Sequence, residues 1–300
     1  MVQPRPDLTV SIISADNSTL LLPCLHSIYA NTHKTTVEIF VVDNASTDGT
    51  GQAAAETFPD ISVIHNSTRQ GFSTNNNLVL QQGKGRYLML LNDDTLLRND
   101  ALDQMVAFMD QNPQAGAAGA FLFNPDNSFQ AAFARFPRPI TEGLLPTAIW
   151  SYKFQRQMTI PFEVDTVCGA AMMVRREAVE QVGLLDTDFD PIYSEEVEWC
   201  YRIKQAGWKI YTIPQAQIVH YGSQTMNRVV PRKYELLLSK KALFFRKHSS
   251  RLGSSLFKIA LSISTTIKLL FWSGLGLVRY PGSSEKRHLH WYLLKRIPKL

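Results

Sequence analysis

Strand-like and helix-like periodicities alternate from Leu8 to Asn112. Leu8–Ser14 is aliphatic and β-branched between polar residues and predicts a strand. Leu20–Ala30 repeats apolar positions at helical spacing. Val37–Val42 predicts a second strand, which stops abruptly at the polar run Asp43–Gly49. A helix is expected over Gly51–Thr57, a short third strand over Ile61–His65 and a helix over Phe72–Gln82. A fourth strand, Arg86–Leu91, ends at Asn92, Asp93 and Asp94, and Ala101–Asn112 has the spacing of a helix. Such alternation indicates βαβ units around a mostly parallel sheet, an α/β architecture.

Beyond Ala115 the pattern loosens. Residues 123–162 are rich in Pro, Phe and Asn with little periodicity, as expected of a loop-rich region that could face an acceptor. Order resumes with a strand at Val167–Val174, a short helix at Arg176–Val182 and a helix over Ser194–Ala206 closed by Gly207. Short strands follow at Lys209–Ile213 and Gln217–His220. The chain then divides into a body, residues 1–239, and a C-terminal segment, residues 240–300.

A hydrophobic content of 45% over 300 residues is enough for a sizeable core and excludes a disordered or collagen-like chain. The net charge of +5 conceals an asymmetry: residues 240–300 hold thirteen Lys and Arg against Glu285 alone, while the body carries −7. An acidic body argues against a uniformly basic nucleic-acid binder, and the basic segment points to an acidic partner surface. Cys24, Cys168 and Cys200 form no C-x-x-C pair, which excludes a disulfide scaffold and a structural zinc site. Reduced thiols in a cytosolic protein are expected. Met1–Asp7 holds two prolines and an acid before a short apolar stretch, so no signal peptide is expected.

Ligands on open α/β sheets bind beyond the carboxyl ends of the strands. Two predicted strands end there in acids, one at Asp43 and one at Asp93 and Asp94. Either alone is an ordinary turn, but two at one edge mark a candidate site. Adjacent carboxylates repel unless a cation screens them, and oxygen ligands of this kind suit Mg²⁺ or Mn²⁺ on phosphate oxygens. Gly49, Gly51 and Ala54 fit a dinucleotide fingerprint, but six residues separate Val42 from Gly49, and Asp43 and Asp48 among them would oppose a pyrophosphate. In Ser194–Arg202 three acids in a first helical turn suit the helix dipole, and Glu198 can pair with Arg202. Glu195 and Glu196 have no such obvious partner on the helix itself, and a glutamate above the sheet edge is a candidate general base. His220 ends a strand and is a weak signal alone.

Val41–Thr50, Gln70–Phe72 leading to Asn76 and Asn77, Leu91–Thr95, Cys168–Ala170, Gly183–Phe189, Glu195–Arg202 and His220 occur in one order. That order resembles the family-two inverting glycosyltransferases of the GT-A fold, a Rossmann-like sheet flanked by helices. It is most similar to rhamnosyltransferase-like members that build bacterial surface polysaccharides, and it covers about residues 8–225. The resemblance implies that Asp43 accepts a hydrogen bond from the donor's base and that Arg69, Asn76 and Asp93 lie at the nucleotide sugar. It implies Asp94 as main ligand of a divalent metal, with Asp93 and His220 beside it, and Glu196 as base. The family commonly has Asn-Pro-Asp where this chain has Asn92-Asp93-Asp94, which leaves the ligand choice open. It has Glu-Asp-x-Asp where this chain has Glu195-Glu196-Val197-Glu198, so Glu195 remains a rival base.

The C-terminal segment is expected to form an amphipathic helical tail. Lys258, Ser262, Thr265 and Lys268 make one narrow polar stripe along apolar Leu256–Val278. Two lysines near mid-span cost about 3 kcal/mol each in a bilayer core, which favours an in-plane helix over a crossing. Packing of the same helix on the protein's own body is the alternative. Arg246, Lys247, Arg251, Arg279, Lys286 and Arg287 around it favour an anionic cytoplasmic leaflet, so a peripheral place on the inner face of the plasma membrane is expected, with no nucleic-acid partner. The expected activity is metal-dependent transfer of a sugar, with rhamnose as a candidate, from a nucleotide-diphosphate donor to a saccharide or lipid-linked acceptor. A non-catalytic nucleotide-sugar-binding scaffold is the competing class.

Overall fold

The computed structural model describes residues 5–144, 157–222, 230–278 and 280–300. Residues 145–156 of the loop-rich region and Arg279 lie outside the described residues. β1 (Leu8–Ser14) is buried on both faces, as a strand covered by helices on each side must be. Its inward hydroxyls are satisfied: Thr9 Oγ1 donates to Glu38 and Ser11 Oγ donates to Asn76 Oδ1 at 2.8 Å. β2 (Val37–Asp43) and β4 (Tyr87–Asn92) flank β1 in parallel, and β3 (Ser62–His65) adds outside β2. The register sets Ser14 opposite Asp43, Asp43 opposite His65 and Ile13 opposite Asn92. The carboxyl ends of four parallel strands therefore share one edge. The connections carry α1 (Ser18–Ala30), α2 (Thr50–Thr57) and α3 (Phe72–Gln82).

Beyond β4 the sheet is mixed rather than parallel. β5 (Thr95–Arg98), α4 (Ala101–Gln111) and β6 (Ala115–Phe123) follow in the chain. Short β7 (Phe129–Gln130) pairs with β6, and β8 (Phe133–Ala134) pairs with β10 (Thr166–Val167) in a separate ladder. β9 (Phe162–Val164) pairs with β12 (Lys209–His220). β11 (Ala171–Arg175) runs antiparallel between β4 and β6. β12 runs parallel to β6 and antiparallel to β5. Among the described residues the main sheet reads β3-β2-β1-β4-β11-β6-β12-β5.

β6 corrects the expectation of irregular chain after Ala115. Its first six residues are Ala and Gly, without the β-branched signature of a strand. Close packing explains the choice, since a Cβ on Gly119 would lie 2.6 Å from Val167 Cβ. β12 is one strand where two were expected. Pro214 falls at the break, and the ladder shifts register between Ile213 and Gln217. Part of the loop-rich region is anchored by aromatic contacts, with the Phe121 ring 5.0 Å from Phe129 and 5.8 Å from Phe133.

The chain forms two compact units. One spans Met1–Arg135 and Tyr152–Gly222 and contains the sheet with α6 (Arg176–Val182) and α7 (Glu195–Gln205). The other spans Phe136–Ser151 and Ser223–Leu300, with α5 (Pro139–Leu144), α8 (Val230–His248), α9 (Arg251–Leu277) and α10 (Ser283–Arg296). Within it α9 buries Phe257, Ala260, Leu261, Ser264 and Thr265. The Phe257 ring lies 4.8 Å from Phe245 of α8, Ser264 Oγ donates to the Leu144 carbonyl at 3.1 Å, and Lys241 pairs with buried Glu142. Of the polar stripe, Thr265 is buried, Lys258 and Ser262 are half-buried and Lys268 is exposed.

Candidate functional site

Asp43 closes β2 at the shared edge and is 8% exposed. Its Oδ1 accepts from the Ser46 amide at 3.0 Å, and its Oδ2 lies 3.0 Å from His65 Nδ1. Burial raises the carboxyl, but hydrogen bonds from Ser46 and His65 outweigh it and hold the group below its ordinary value. It is thus an ionised acceptor. A Cβ on Gly51 would lie 2.5 Å from Asp43 Oδ2, so α2 approaches the carboxylate as closely as only glycine permits. The glycine that mimics a dinucleotide fingerprint serves this contact.

β4 delivers Asp93 and Asp94. Asp93 Oδ2 accepts from Ser14 Oγ at 2.7 Å and Asn17 Nδ2 at 2.9 Å. Burial, reinforced by Asp94, pushes its carboxyl up to about 6 despite these bonds. Asp94 is 8% exposed, and its Oδ1 is buried and accepts no hydrogen bond. His220 ends β12 opposite Thr95, and its Nε2 lies 3.2 Å from that oxygen. His220 Nδ1 lies against Gln130 Oε1, and Gln130 Nε2 donates to the His220 carbonyl at 3.1 Å. With Nδ1–H donating to Gln130, Nε2 carries the lone pair, toward which Asn92 Nδ2 donates at 3.1 Å.

This pair fits a divalent cation. A buried oxygen without a donor stands 3.2 Å from an imidazole nitrogen whose lone pair, now met by Asn92 Nδ2, a cation would take over. Neighbouring ligands of an octahedral Mg²⁺ stand about 3 Å apart at bond lengths of about 2.1 Å. Gln130 supplies the carbonyl that metal-bound histidines commonly use to fix their tautomer. Among the described residues no three His, Cys, Asp or Glu side chains converge as a ready-made metal cage. The donor set suits an ion that takes its remaining ligands from phosphate and water.

α7 begins after Tyr193 and Ser194, both left-handed at φ 88° and 69°. Non-glycine residues held there cost about 1 kcal/mol or more each, and this turn sets the start of α7. Glu198 pairs with Arg202 at 2.8 Å, as its spacing predicts, and Arg202 also donates to the Val182 and Leu184 carbonyls. Glu198 is thereby structural. Glu196 Cβ and the Phe72 ring flank Gly169. Glu196 keeps some accessible surface but is ringed by protein, and this desolvation raises its carboxyl. Burial pushes the Cys168 thiol up to about 12, with the charges of Glu196, Glu195 and Asp94 adding to it. Glu196, Glu195 and Asp94 are thus each near enough to Cys168 for their charge to bear on its thiol. Glu195 is the more buried of the two glutamates, at 4% exposure.

Two expected site residues stand apart. Arg69 is exposed at the rim and pairs with Asp16 of the β1–α1 turn. Asn76 is buried beneath the sheet, where its amide serves Ser11 and the Phe72 carbonyl, behind the edge rather than on it. Four polar partners were missed. His65 was visible as the end of the third strand, opposite Asp43 in register. Ser14 likewise ended a predicted strand, and Asn17 lies just beyond it. Gln130 carried no signal, because two-residue β7 lies in chain without periodicity.

The profile of glycosyl transferase family 2 matches residues 9–183. An N-acetylglucosaminyl-diphospho-decaprenol L-rhamnosyltransferase of Mycobacterium tuberculosis is 26% identical over 212 residues, covering 64% of this chain and 69% of that protein. The O-antigen biosynthesis protein RfbC of Myxococcus xanthus is 24% identical over 95% of this chain, which spans only 22% of that protein. The solved structure of the mannosyltransferase PcManGT from Pyrobaculum calidifontis, in complex with GDP-Man and Mn²⁺, superposes with a TM-score of 0.64 at 18% identity. That match covers 99% of this chain and 87% of the other. The shared fold is GT-A.

Proposed function

This chain belongs to glycosyl transferase family 2, and on that footing we propose that it is a metal-dependent, inverting glycosyltransferase acting on a nucleotide-diphosphate sugar. The observation that carries the reading is the buried Asp94 oxygen without a hydrogen bond, 3.2 Å from His220 Nε2, at the carboxyl edge of the sheet. Asp94 and His220 would hold Mg²⁺ or Mn²⁺, with Asp93 behind them. Such an ion, when bound, supplies Lewis-acid neutralisation of the leaving diphosphate.

Asp43, ionised and at the end of β2, accepts a hydrogen bond from the donor's base. Arg69 closes the rim near the nucleotide. Asn76 acts from below by holding β1 through Ser11. Glu196 accepts the proton of an acceptor hydroxyl as that oxygen attacks the anomeric carbon, with Glu195 as its rival. One displacement through an oxocarbenium-like transition state inverts the centre, so no nucleophilic carboxylate is required. Rhamnose is our first candidate sugar and a diphospho-lipid saccharide our first candidate acceptor, a choice supported by the 26% identical mycobacterial rhamnosyltransferase. An enzyme using such an acceptor works at the cytoplasmic face of the plasma membrane.

Thermal unfolding against a panel of nucleotide sugars tests the donor site. A matched donor with Mn²⁺ should raise the melting temperature, since ligand at a hundredfold its Kd contributes about 2.7 kcal/mol. The rise should need both components. No shift with any donor, or the same shift in EDTA, would count against the reading.

A further inference from the structure

α9 buries Ser264 and Thr265 together with Phe257, Ala260 and Leu261, yet it leaves a set of large apolar residues exposed. Ser264 and Thr265 face the interior of their unit, while Leu252, Ile259, Ile263, Ile267, Leu270 and Leu277 are each at least half exposed. At 100° per residue these six fall within an arc of about 80°. They form one row along about 37 Å of helix. Arg251 and Lys258 lie about 120° and 140° from the row's centre on one side, and Lys268 about 140° on the other. The lysines that interrupt the sequence therefore leave the row free of charge.

A contiguous exposed apolar row of this length marks a contact surface. Its chemistry specifies the partner. Residues 240–300 carry thirteen basic side chains against one acid, and Lys286, Arg287 and Lys295 of α10 are exposed. An apolar strip with cations on both flanks complements a lipid surface with anionic headgroups, where long basic side chains reach the phosphates from beside a buried apolar face. By length and composition α9 is the one helix among the described residues that could cross a bilayer. Crossing is opposed by its other face, which packs Phe257 on Phe245 and donates Ser264 Oγ to Leu144. Crossing would also carry Lys258 and Lys268 into hydrocarbon.

We propose that α9 lies in the plane of an anionic bilayer, with the Leu252–Leu277 row inserted at the headgroup–acyl boundary. The inference rests on this unit's own surface and stands whatever the catalytic site does.

The test is co-sedimentation of the full chain with phosphatidylcholine vesicles, with and without phosphatidylglycerol. Binding should need the anionic lipid, weaken in part with salt and be released by an alkaline carbonate wash. The Ile263→Glu/Ile267→Glu variant should partition about tenfold more weakly or worse, with unchanged circular dichroism because both positions are exposed. Lys286→Gln/Arg287→Gln should lower binding only at low salt. Retention after the carbonate wash would mean that α9 crosses the bilayer and would overturn the proposal. Wild-type affinity in the double glutamate variant would overturn it too. A dimer without lipid that the same variant dissolves would assign the row to a second copy of the chain instead.

Discussion

Asp94→Ala is expected to abolish Mn²⁺-dependent donor binding while leaving the fold intact. The two effects separate because Asp94 Oδ1 is buried without a donor in the unliganded protein. Burying an unsatisfied carboxylate oxygen is unfavourable, so its removal should keep or raise the melting temperature of the metal-free protein. The rise caused by Mn²⁺ with nucleoside diphosphate should vanish, because the diphosphate loses the counter-charge that Asp94 positions. Calorimetric titration with Mn²⁺ and a nucleoside diphosphate reads the loss directly. Wild-type affinity in Asp94→Ala would move the metal site elsewhere, with Asp93 the first alternative.

Glu196→Gln should retain donor binding and lose transfer by about 10²-fold or more, the usual scale for removing a general base. The pH dependence gives a second readout. Desolvation raises Glu196, and the carboxylate must be ionised to accept a proton. The rate should therefore climb with pH as Glu196 ionises, with an acid limb above the ordinary glutamate value of about 4.3. In Glu196→Gln that limb should disappear from the residual activity. A normal rate in Glu196→Gln with a dead Glu195→Gln would transfer the role to Glu195, the more buried neighbour.

The parts of this site that could be read from sequence share a physical cause. β1, β2 and β4 lie within the sheet, so their aliphatic runs stand out, and the acids that stop them mark the carboxyl edge. Asp43, Asp93 and Asp94 were legible for that reason. His220 was weak alone, because a strand-end histidine acquires meaning only when β12 is known to pair with β5 and set it beside Asp94. β6 was hidden by the same packing that makes it central: with Val167 against Gly119, small residues replaced the strand signature. Asn76 belonged to a motif of the resemblance, yet periodicity could not tell an amide on the ligand side of β1 from one beneath it. Gln130 is held by tertiary pairing alone. For α9 the apolar content was evident, but not which face the unit would bury, since that depends on α5 from the middle of the chain.

Release of nucleoside diphosphate from a sugar-nucleotide panel by the wild-type chain tests the central claim most directly. The panel should include dTDP-rhamnose and GDP-mannose, with Mn²⁺ or with excess EDTA. A metal-dependent transferase site predicts release from at least one donor with Mn²⁺, stopped by EDTA and accelerated by an acceptor saccharide. Release that proceeds unchanged in EDTA, or none from any donor that the protein binds, would contradict it.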